Sequence, residues 1–323
     1  MGNLTVAVLG GQDYANSLGK KGTSTDITLY NLKKGDQTVT FIEPTRYPER
    51  LAPLFYATSL AKKAVVVVDE LNAAFGECLV MLSCSNVDGG FFVLRNYLPR
   101  EKIEPLIKGT PLEKFEFVDD NPAFLKDRLL SDAALYTPVA SKDCGQSAGT
   151  VPIDHSFNVK GVGAVILGVV ANGEISKHDT VKVLPGTKTA QIRSVQKHDD
   201  EFDCAREGDR VGLAMKNVEV VDLERGTVLT TDESVKSTKS VKTQASLVRY
   251  WQAPMKSEMV IHLGHWMQFI PARVEAIADE GEWRKPLLTL SLEKEIVYRS
   301  GDRAVVSHLD GGKLRVAGTI KLP

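Results

Sequence analysis

An α/β domain followed by two antiparallel β-barrels is the fold class the sequence predicts, and three observations carry it. Over the first 137 residues, short β-rich runs alternate with segments of helical spacing. From about residue 138 the helical periodicity stops, and short β runs follow one another across Gly, Asn-Gly, Pro-Gly and Asp-Gly-Gly turns. The 323 residues leave room for two or three domains, and 43% hydrophobic with 25% charged side chains is ordinary globular composition.

In the first region "LTVAVLG" (4–10), "DITLYNL" (26–32), "QTVTFIE" (37–43), "AVVVVDE" (64–70), "GFFVLR" (90–95) and "FEFVD" (115–119) read as strands. Several are apolar on both faces, as strands of a helix-covered parallel sheet are. Between them, segments 47–63, 76–86, 100–109 and 121–132 carry helical spacing, which together argues for a three-layer α/β domain. "NLKKGD" reads as a tight hairpin turn, so strands 26–32 and 37–43 are expected to pair antiparallel. Residues 138–234 then read as one barrel and 235–323 as a second. The Ser/Thr/Lys-rich "TTDESVKSTKSVKT" (230–243) reads as a linker between them.

The net charge of −1 hides an asymmetry. Residues 1–137 carry 15 basic and 17 acidic side chains, residues 138–234 carry 11 and 15, and residues 235–323 carry 14 and 9. Only the last segment has a balance that favours a polyanion. Cys78, Cys84, Cys144 and Cys204 form no CxxC pair and have no histidines at zinc-finger spacing, so they read as reduced, structural thiols. No apolar run approaches the 18 residues that suggest a membrane span. "MGNLTVAVLGG" reads as a first buried strand and not a signal peptide, and a cytoplasmic protein is expected.

"LGGQDYANSLGKKGTSTDITLYN" (9–31) is where a phosphate loop would stand. Such a loop needs Gly-x4-Gly-Lys-Ser/Thr: backbone amides cradle the phosphates, the lysine reaches the β/γ oxygens and the hydroxyl holds Mg²⁺. Gly10 and Gly11 follow the first strand, yet Gly19–Lys20 comes eight positions after Gly11 instead of five, and Lys21 takes the hydroxyl position. About seven residues lie between the strand and Gly19, too few for both loop and helix. The phosphate-binding helix is expected to be missing.

Further along, "DHSFNVKGVGAVILGVVANGEISKHDTVKVLPG" (154–186) and "IRSVQKHDDEFDCAREGDRVGLAMKNVEVVDLERG" (192–226) resemble the second domain of elongation factor Tu and of the selenocysteine-specific elongation factor. The shared signs, in order, are an Asp-x-x-Phe-x-Val strand, a Gly-x-Gly turn, an Ile-Arg-Ser-Val-Gln strand, Gly-Asp-Arg-Val-Gly-Leu and a closing Asp-Leu-x-Arg-Gly. "EKEIVYRSGDRAVVSHLDGGKLRVAGTIKL" (293–322) resembles the end of the third domain of the same family, the translational GTPases, and "LGKKGTSTDITLYN" is similar to its shortened archaeal relatives.

The resemblance implies a shortened P-loop GTPase-like domain (1–137), a second domain (138–234) and a third (235–323). It also implies losses. "KKGTSTD" aligns with the family's switch segment, with Ser24 at the Mg²⁺-sensing position. "EPTRYP" replaces Asp-x-Pro-Gly-His, putting Glu43, Arg46 and Tyr47 at the metal-shell, γ-phosphate and water-positioning places. "LRNY" (94–97) replaces the guanine-reading motif, with Tyr97 in the acid's place and Arg95 beside it, and "VDD" (118–120) replaces the last base-contacting motif. GTP and Mg²⁺ are therefore not expected as cofactors, and no catalytic or metal-binding residue is expected.

Arg46 and Tyr47 end the third strand, where α/β sheets hold ligands; they read either as a repurposed pocket, with Lys20, Lys21 and Arg95 nearby, or as a solvated loop. His155, Lys160 and Arg225 match second-domain motif positions, which the resemblance places near the surface for a tRNA acceptor end or a ribosomal contact. Lys160, in the turn "NVKGVG", is the better candidate for a phosphate contact; Arg225 and His155 also suit structural roles. In the third domain Arg249, Lys256, Arg273, Arg299, Arg303, Lys313 and Arg315 could form a face for RNA. His262, His265 and Trp266 lack further ligands at zinc spacing and read as an ordinary strand. The expected protein is elongation factor-like, has lost GTP hydrolysis, and binds tRNA or the ribosome through its barrels. The alternatives are a GTP-binding elongation factor with an atypical nucleotide site and a protein-interaction scaffold whose partner docks on the former switch surface.

Overall fold

The computed structural model describes residues 2–136, 147–278 and 281–323. The chain divides into two compact units, Met1–Pro138 with Leu309–Val316, and Val139–His308 with Ala317–Pro323.

The first unit is a seven-stranded sheet with helices. In chain order it runs β1 (Gly2–Leu9), α1 (Ala15–Leu18), β2 (Lys20–Ser24), β3 (Ile27–Lys34), β4 (Gln37–Pro44), α2 (Ala52–Ser59), β5 (Lys63–Val68), α3 (Ala73–Cys84), β6 (Gly89–Leu94), α4 (Glu104–Ile107), β7 (Glu116–Asp119) and α5 (Pro122–Leu135). The strand order is β2-β3-β4-β1-β5-β6-β7. From β4 to β7 the neighbours run parallel, whereas β2, β3 and β4 pair antiparallel. The β3–β4 hairpin turns through Gly35 (φ +60°), as "KKGD" predicts.

Every residue of β1 is buried, because it lies at the centre of the sheet with both faces covered. Leu4, Val6 and Val8 alternate onto one face, where they share a core with Val65, Val67, Phe91 and Val93 and with Leu125, Leu129 and Ala133 of α5. Asn72 and Asn121 start α3 and α5 by accepting the amides of Phe75 and Phe124.

Two elements differ from the sequence reading. The stretch between β1 and β3 holds a single-turn helix, α1, and an edge strand, β2, where only a loop remnant is expected. The 47–63 segment becomes helical only at Ala52–Ser59, after the turn that carries Tyr47 and Pro48.

The second unit contains two barrels. The first uses β8 (Thr150–Val159), β9 (Gly163–Val169), β10 (Glu174–Ser176), β11 (Thr180–Leu184), β12 (Lys188–Lys197), β13 (Asp200–Phe202), β14 (Cys204–Arg206), β15 (Arg210–Lys216) and β16 (Val228–Thr230). Its order β11-β16-β8-β9-β15-β12 closes through β11–β12; β13 extends β12, and β10 pairs with β14. The second is the closed barrel β17-β20-β19-β18-β21-β22, built from β17 (Val235–Leu247), β18 (Val260–His265), β19 (Gln268–Ala278), β20 (Leu287–Arg299), β21 (Arg303–Ser307) and β22 (Val316–Lys321).

The expected linker 230–243 is corrected here: most of it is β17. Val235, Val241, Ala245 and Leu247 turn inward while the Lys, Ser and Thr residues between them face solvent, which is the pattern of a barrel strand despite its low-complexity composition. The reading of four reduced thiols is also corrected. Cys78 and Cys84 are free and buried, but Cys204 is disulfide-bonded, and Cys144 lies outside the described residues.

Gly10 ends β1 at φ +89°, and a Cβ there would stand 2.1 Å from the Val67 carbonyl oxygen. Gly35 has a similar φ of +60° and open space around it. Gly10→Ala is therefore expected to destabilise the first unit by about 2 kcal/mol or more, and Gly35→Asn by well under 1 kcal/mol. Urea unfolding of the two variants beside the wild type measures the difference.

Candidate functional site

The C-terminal ends of parallel strands hold the ligand in α/β folds, and here β1, β4, β5, β6 and β7 all end on one side of the first unit. Around the start of α1 that side is occupied by the domain's own side chains. Glu43, the penultimate residue of β4, is buried at 5% exposure. Its Oε1 accepts the backbone N–H of Tyr14 at 3.1 Å, at the entry to α1. Burial pushes the Glu43 carboxyl up to about 7. Tyr30 and the amides of Tyr14 and Ala15 favour the ionised form, and the charge of Asp13 opposes it. A buried carboxyl group thus occupies the amides that open the helix.

Next to it, the Tyr14 hydroxyl donates to Asp120 Oδ1 at 2.8 Å. Arg95 bridges Asp120 (3.0 Å) and Asp69 (3.2 Å). This chain ties the β1 loop to the ends of β5, β6 and β7. Tyr97 leaves β6 with a left-handed backbone, as does Asn96, and is fully exposed. Asn96 holds the turn by donating to the Asp69 carbonyl. A cleft of about 500 Å³ beside β7 is lined by Leu94, Arg100, Phe117, Val118, Asp119, Asn121 and Phe124, and the Arg100 guanidinium lies over the Phe117 ring.

The remaining remnants separate. Gly10 and Gly11 form a tight turn against Val67. Ser24 lies in strand β2, its hydroxyl bonded to Thr28 at 2.8 Å, and the register sets Ser24, Thr28 and Glu43 in one cross-strand row. Lys20 and Lys21 are exposed on the edge strand, and Arg46 is exposed. Tyr47 is half-buried, so it fits neither an open pocket nor a solvated loop. Its hydroxyl donates to the Ala74 carbonyl at 2.7 Å, and its ring lies under Arg315. Among the described residues no cluster of three or more His, Cys, Asp or Glu side chains could hold a metal ion.

In the barrels the candidates divide into inward and outward groups. Asp154 is buried and paired with Arg210 through both guanidinium arms, and it contacts His155 Nδ1 at 2.6 Å. Burial opposes the Asp154 charge, but Arg210 and His155 hold its carboxyl below the usual range. The Arg225 Nε donates to the Asp154 carbonyl at 3.0 Å. His155, with its side chain 8% exposed, and Arg225 therefore serve the structure around Asp154. His265 is likewise turned in, between the Arg303 carbonyl and Asp302.

Lys160 is exposed at the tip of the β8–β9 hairpin, with Phe157 and Val162 exposed beside it. Arg193 reaches across to the Val162 carbonyl at 3.3 Å. Arg249, Lys256, Arg273, Arg299, Arg303 and Lys313 are all exposed, whereas Arg315 is half-buried in the first unit. Lys236, Lys239 and Lys242 are exposed along β17, and the Ser/Thr/Lys composition that reads as a linker hides them in the sequence. The apolar spacing Val235, Val241, Ala245, Leu247 could have found them.

An α/β domain followed by two antiparallel barrels is the architecture of an elongation-factor-like protein, and the chain belongs to the translational GTPase-like family. Residues 163–230 match the family described as Elongation factor Tu domain 2. The chain is 35% identical over 324 residues to an uncharacterized protein of Methanocaldococcus jannaschii, MJ0325, covering 100% of both. It is 27% identical over 178 residues to the selenocysteine-specific elongation factor of that organism, which is 50% of this chain and 37% of that protein. Translation elongation factor SelB from Methanococcus maripaludis, in complex with the GTP analogue GPPNHP, has the same fold: the TM-score is 0.82 at 20% identity, over 100% of this chain and 79% of that one. No helix among the described residues is long and apolar enough to cross a membrane.

Because its folded pKa lies above the unfolded value of 4.5, Glu43 contributes most stability below about pH 4.5, and this contribution is lost as pH rises through about 7. Glu43→Gln cannot ionise. Its stability relative to the wild type is expected to rise between pH 5 and pH 8, read as the difference in thermal midpoint at the two pH values.

Proposed function

We propose that the chain is a translation elongation factor-like protein that has lost GTP hydrolysis and binds RNA, a tRNA or the ribosome, through its β-barrels. The observation that carries the loss of GTP is Glu43. Phosphate binding at such a position needs free backbone amides and a favourable field for negative charge. Here a side-chain carboxyl takes the Tyr14 amide. Asp13, Asp69, Glu70, Asp119 and Asp120 stand on the same side, and Arg95 is already shared by two of them. A nucleotide triphosphate would meet like charge. No Mg²⁺ or nucleotide is assigned a role, and the protein is read as a non-enzyme of the cytoplasm.

The β8–β9 hairpin supports RNA as the ligand. Phe157 offers an exposed ring on which a base can stack, and Lys160 offers an unburied charge for phosphate. Lys236, Lys239 and Lys242 add charge on β17, and the selenocysteine-specific elongation factor and elongation factor 1-alpha relatives are translation factors by name. A second reading, a protein scaffold, is favoured by Tyr97 and Leu71, exposed at the ends of β6 and β5.

Calorimetric titration with GTP, GDP and ATP in the presence of Mg²⁺ is expected to give no heat from folded protein. Micromolar binding of GTP or GDP would return gating as the mechanism. Binding to tRNA or ribosomes is expected to weaken steeply as salt rises. Lys160→Ala should lower affinity several-fold and flatten the log–log salt slope by about 1. A protein partner kept after nuclease treatment and lost on Tyr97→Ser would favour the scaffold instead.

A further inference from the structure

Glu77 is a carboxylate on α3 with only 3% exposure, in a helix whose neighbours Cys78, Leu79, Val80 and Met81 are apolar and buried. Burying it requires a partner, and the partner is Arg315, 238 residues away in sequence but in the same compact unit. Three hydrogen bonds join them. The Arg315 backbone N–H donates to Oε1 at 2.8 Å, its Nε to Oε1 at 3.1 Å, and a terminal guanidinium nitrogen to Oε2 at 2.5 Å. A bidentate fork with an added backbone donor is the strong form of such a pair.

The same guanidinium lies 5.9 Å from the centre of the Tyr47 ring. Tyr47 is fixed at its other end by its bond to Ala74, at the start of α3. The Cys78 thiol lies beside Tyr47 and Glu77, fully buried and pushed up to about 12, mainly by that burial. Around this group, Leu309, Asp310 and Lys313 are exposed, so residues 309–316 carry little apolar burial of their own until Val316. Their hold on the unit is concentrated in Arg315.

We propose that residues 309–316 form a strap that locks the segment following β4 against α3, with Arg315 as its pin and the Glu77 carboxylate as its seat. Released, the strap would uncover Tyr47 and Cys78; closed, it holds the loop carrying Arg46 and Tyr47 in one conformation. Arg315 is a positioning residue in this arrangement, acting through Glu77 and Tyr47. The strap does not depend on whether the barrels bind RNA.

The test is hydrogen exchange and thiol labelling of the full chain, with labelled cysteines mapped by mass spectrometry. In the wild type, Cys78 should resist a maleimide. In Arg315→Met, which keeps an apolar stem and removes both guanidinium bonds to Glu77, labelling at Cys78 should accelerate on the order of a hundredfold. Amide exchange should rise together over 44–51, 73–84 and 309–316, while β5 and β6 stay protected. Glu77→Gln retains an acceptor for the Arg315 amide and should give a smaller change over the same segments. It also serves if Arg315→Met does not fold. Unchanged labelling in a folded variant would overturn the strap. So would acceleration spread evenly over the whole unit by either substitution, since that is what general destabilisation produces.

Discussion

Amides at the start of a helix need an acceptor, and for α1 Glu43 supplies it. The chain leaves β1 through Gly10, whose positive φ and contact with the Val67 carbonyl leave no room for a side chain. It then enters a helix of only four residues, Ala15–Leu18. So short a helix gains little from its own hydrogen bonds, and its place depends on what holds its ends. Glu43 takes the amide of Tyr14, while Tyr14 reaches Asp120 with its hydroxyl. Asp120 is held in turn by Arg95, and Arg95 by Asp69. One sequence of contacts thus joins the ends of five strands.

The barrels solve a comparable problem with a charge pair in place of a capping carboxyl. Asp154 lies in β8, where its neighbours Val151 and Ile153 face the apolar core. Its cost of burial is offset by Arg210 and His155, and its own carbonyl receives Arg225. Residues that match family motifs in this region therefore maintain the barrel wall. The side chains left outside, Phe157, Lys160 and Val162, stand on the hairpin that the wall supports. The wall thus holds a polar, partly aromatic tip out to solvent.

The sequence was legible where periodicity and turn chemistry dominate. The predominantly apolar β1 and β5, the "KKGD" hairpin and the succession of barrel strands follow from local pattern, and the structure has them. β17 was not legible as a strand, because its Ser/Thr/Lys content outweighs four widely spaced apolar residues in any local count. Barrel closure against β20 and β22 makes those four decisive. The family positions of Glu43 and Tyr47 could be read by alignment, but not what they do. That Glu43 caps α1 depends on β4 lying beside β1, and that Arg315 meets Glu77 depends on a contact across 238 residues. Neither leaves a mark in a window of sequence.

The contacts around α1 are not independent. A helix of one turn after β1 leaves its entry amide in need of an acceptor. A small neutral residue at position 43 would leave the Tyr14 amide buried without a partner, at a cost of about 1–3 kcal/mol. Glutamate has the length to reach it from β4. With that carboxyl in place, the first turn of α1 is tied to β4 and through it to the centre of the sheet. The turn after β1, helix α1 and strand β4 are thus held to one another by contacts from within the domain.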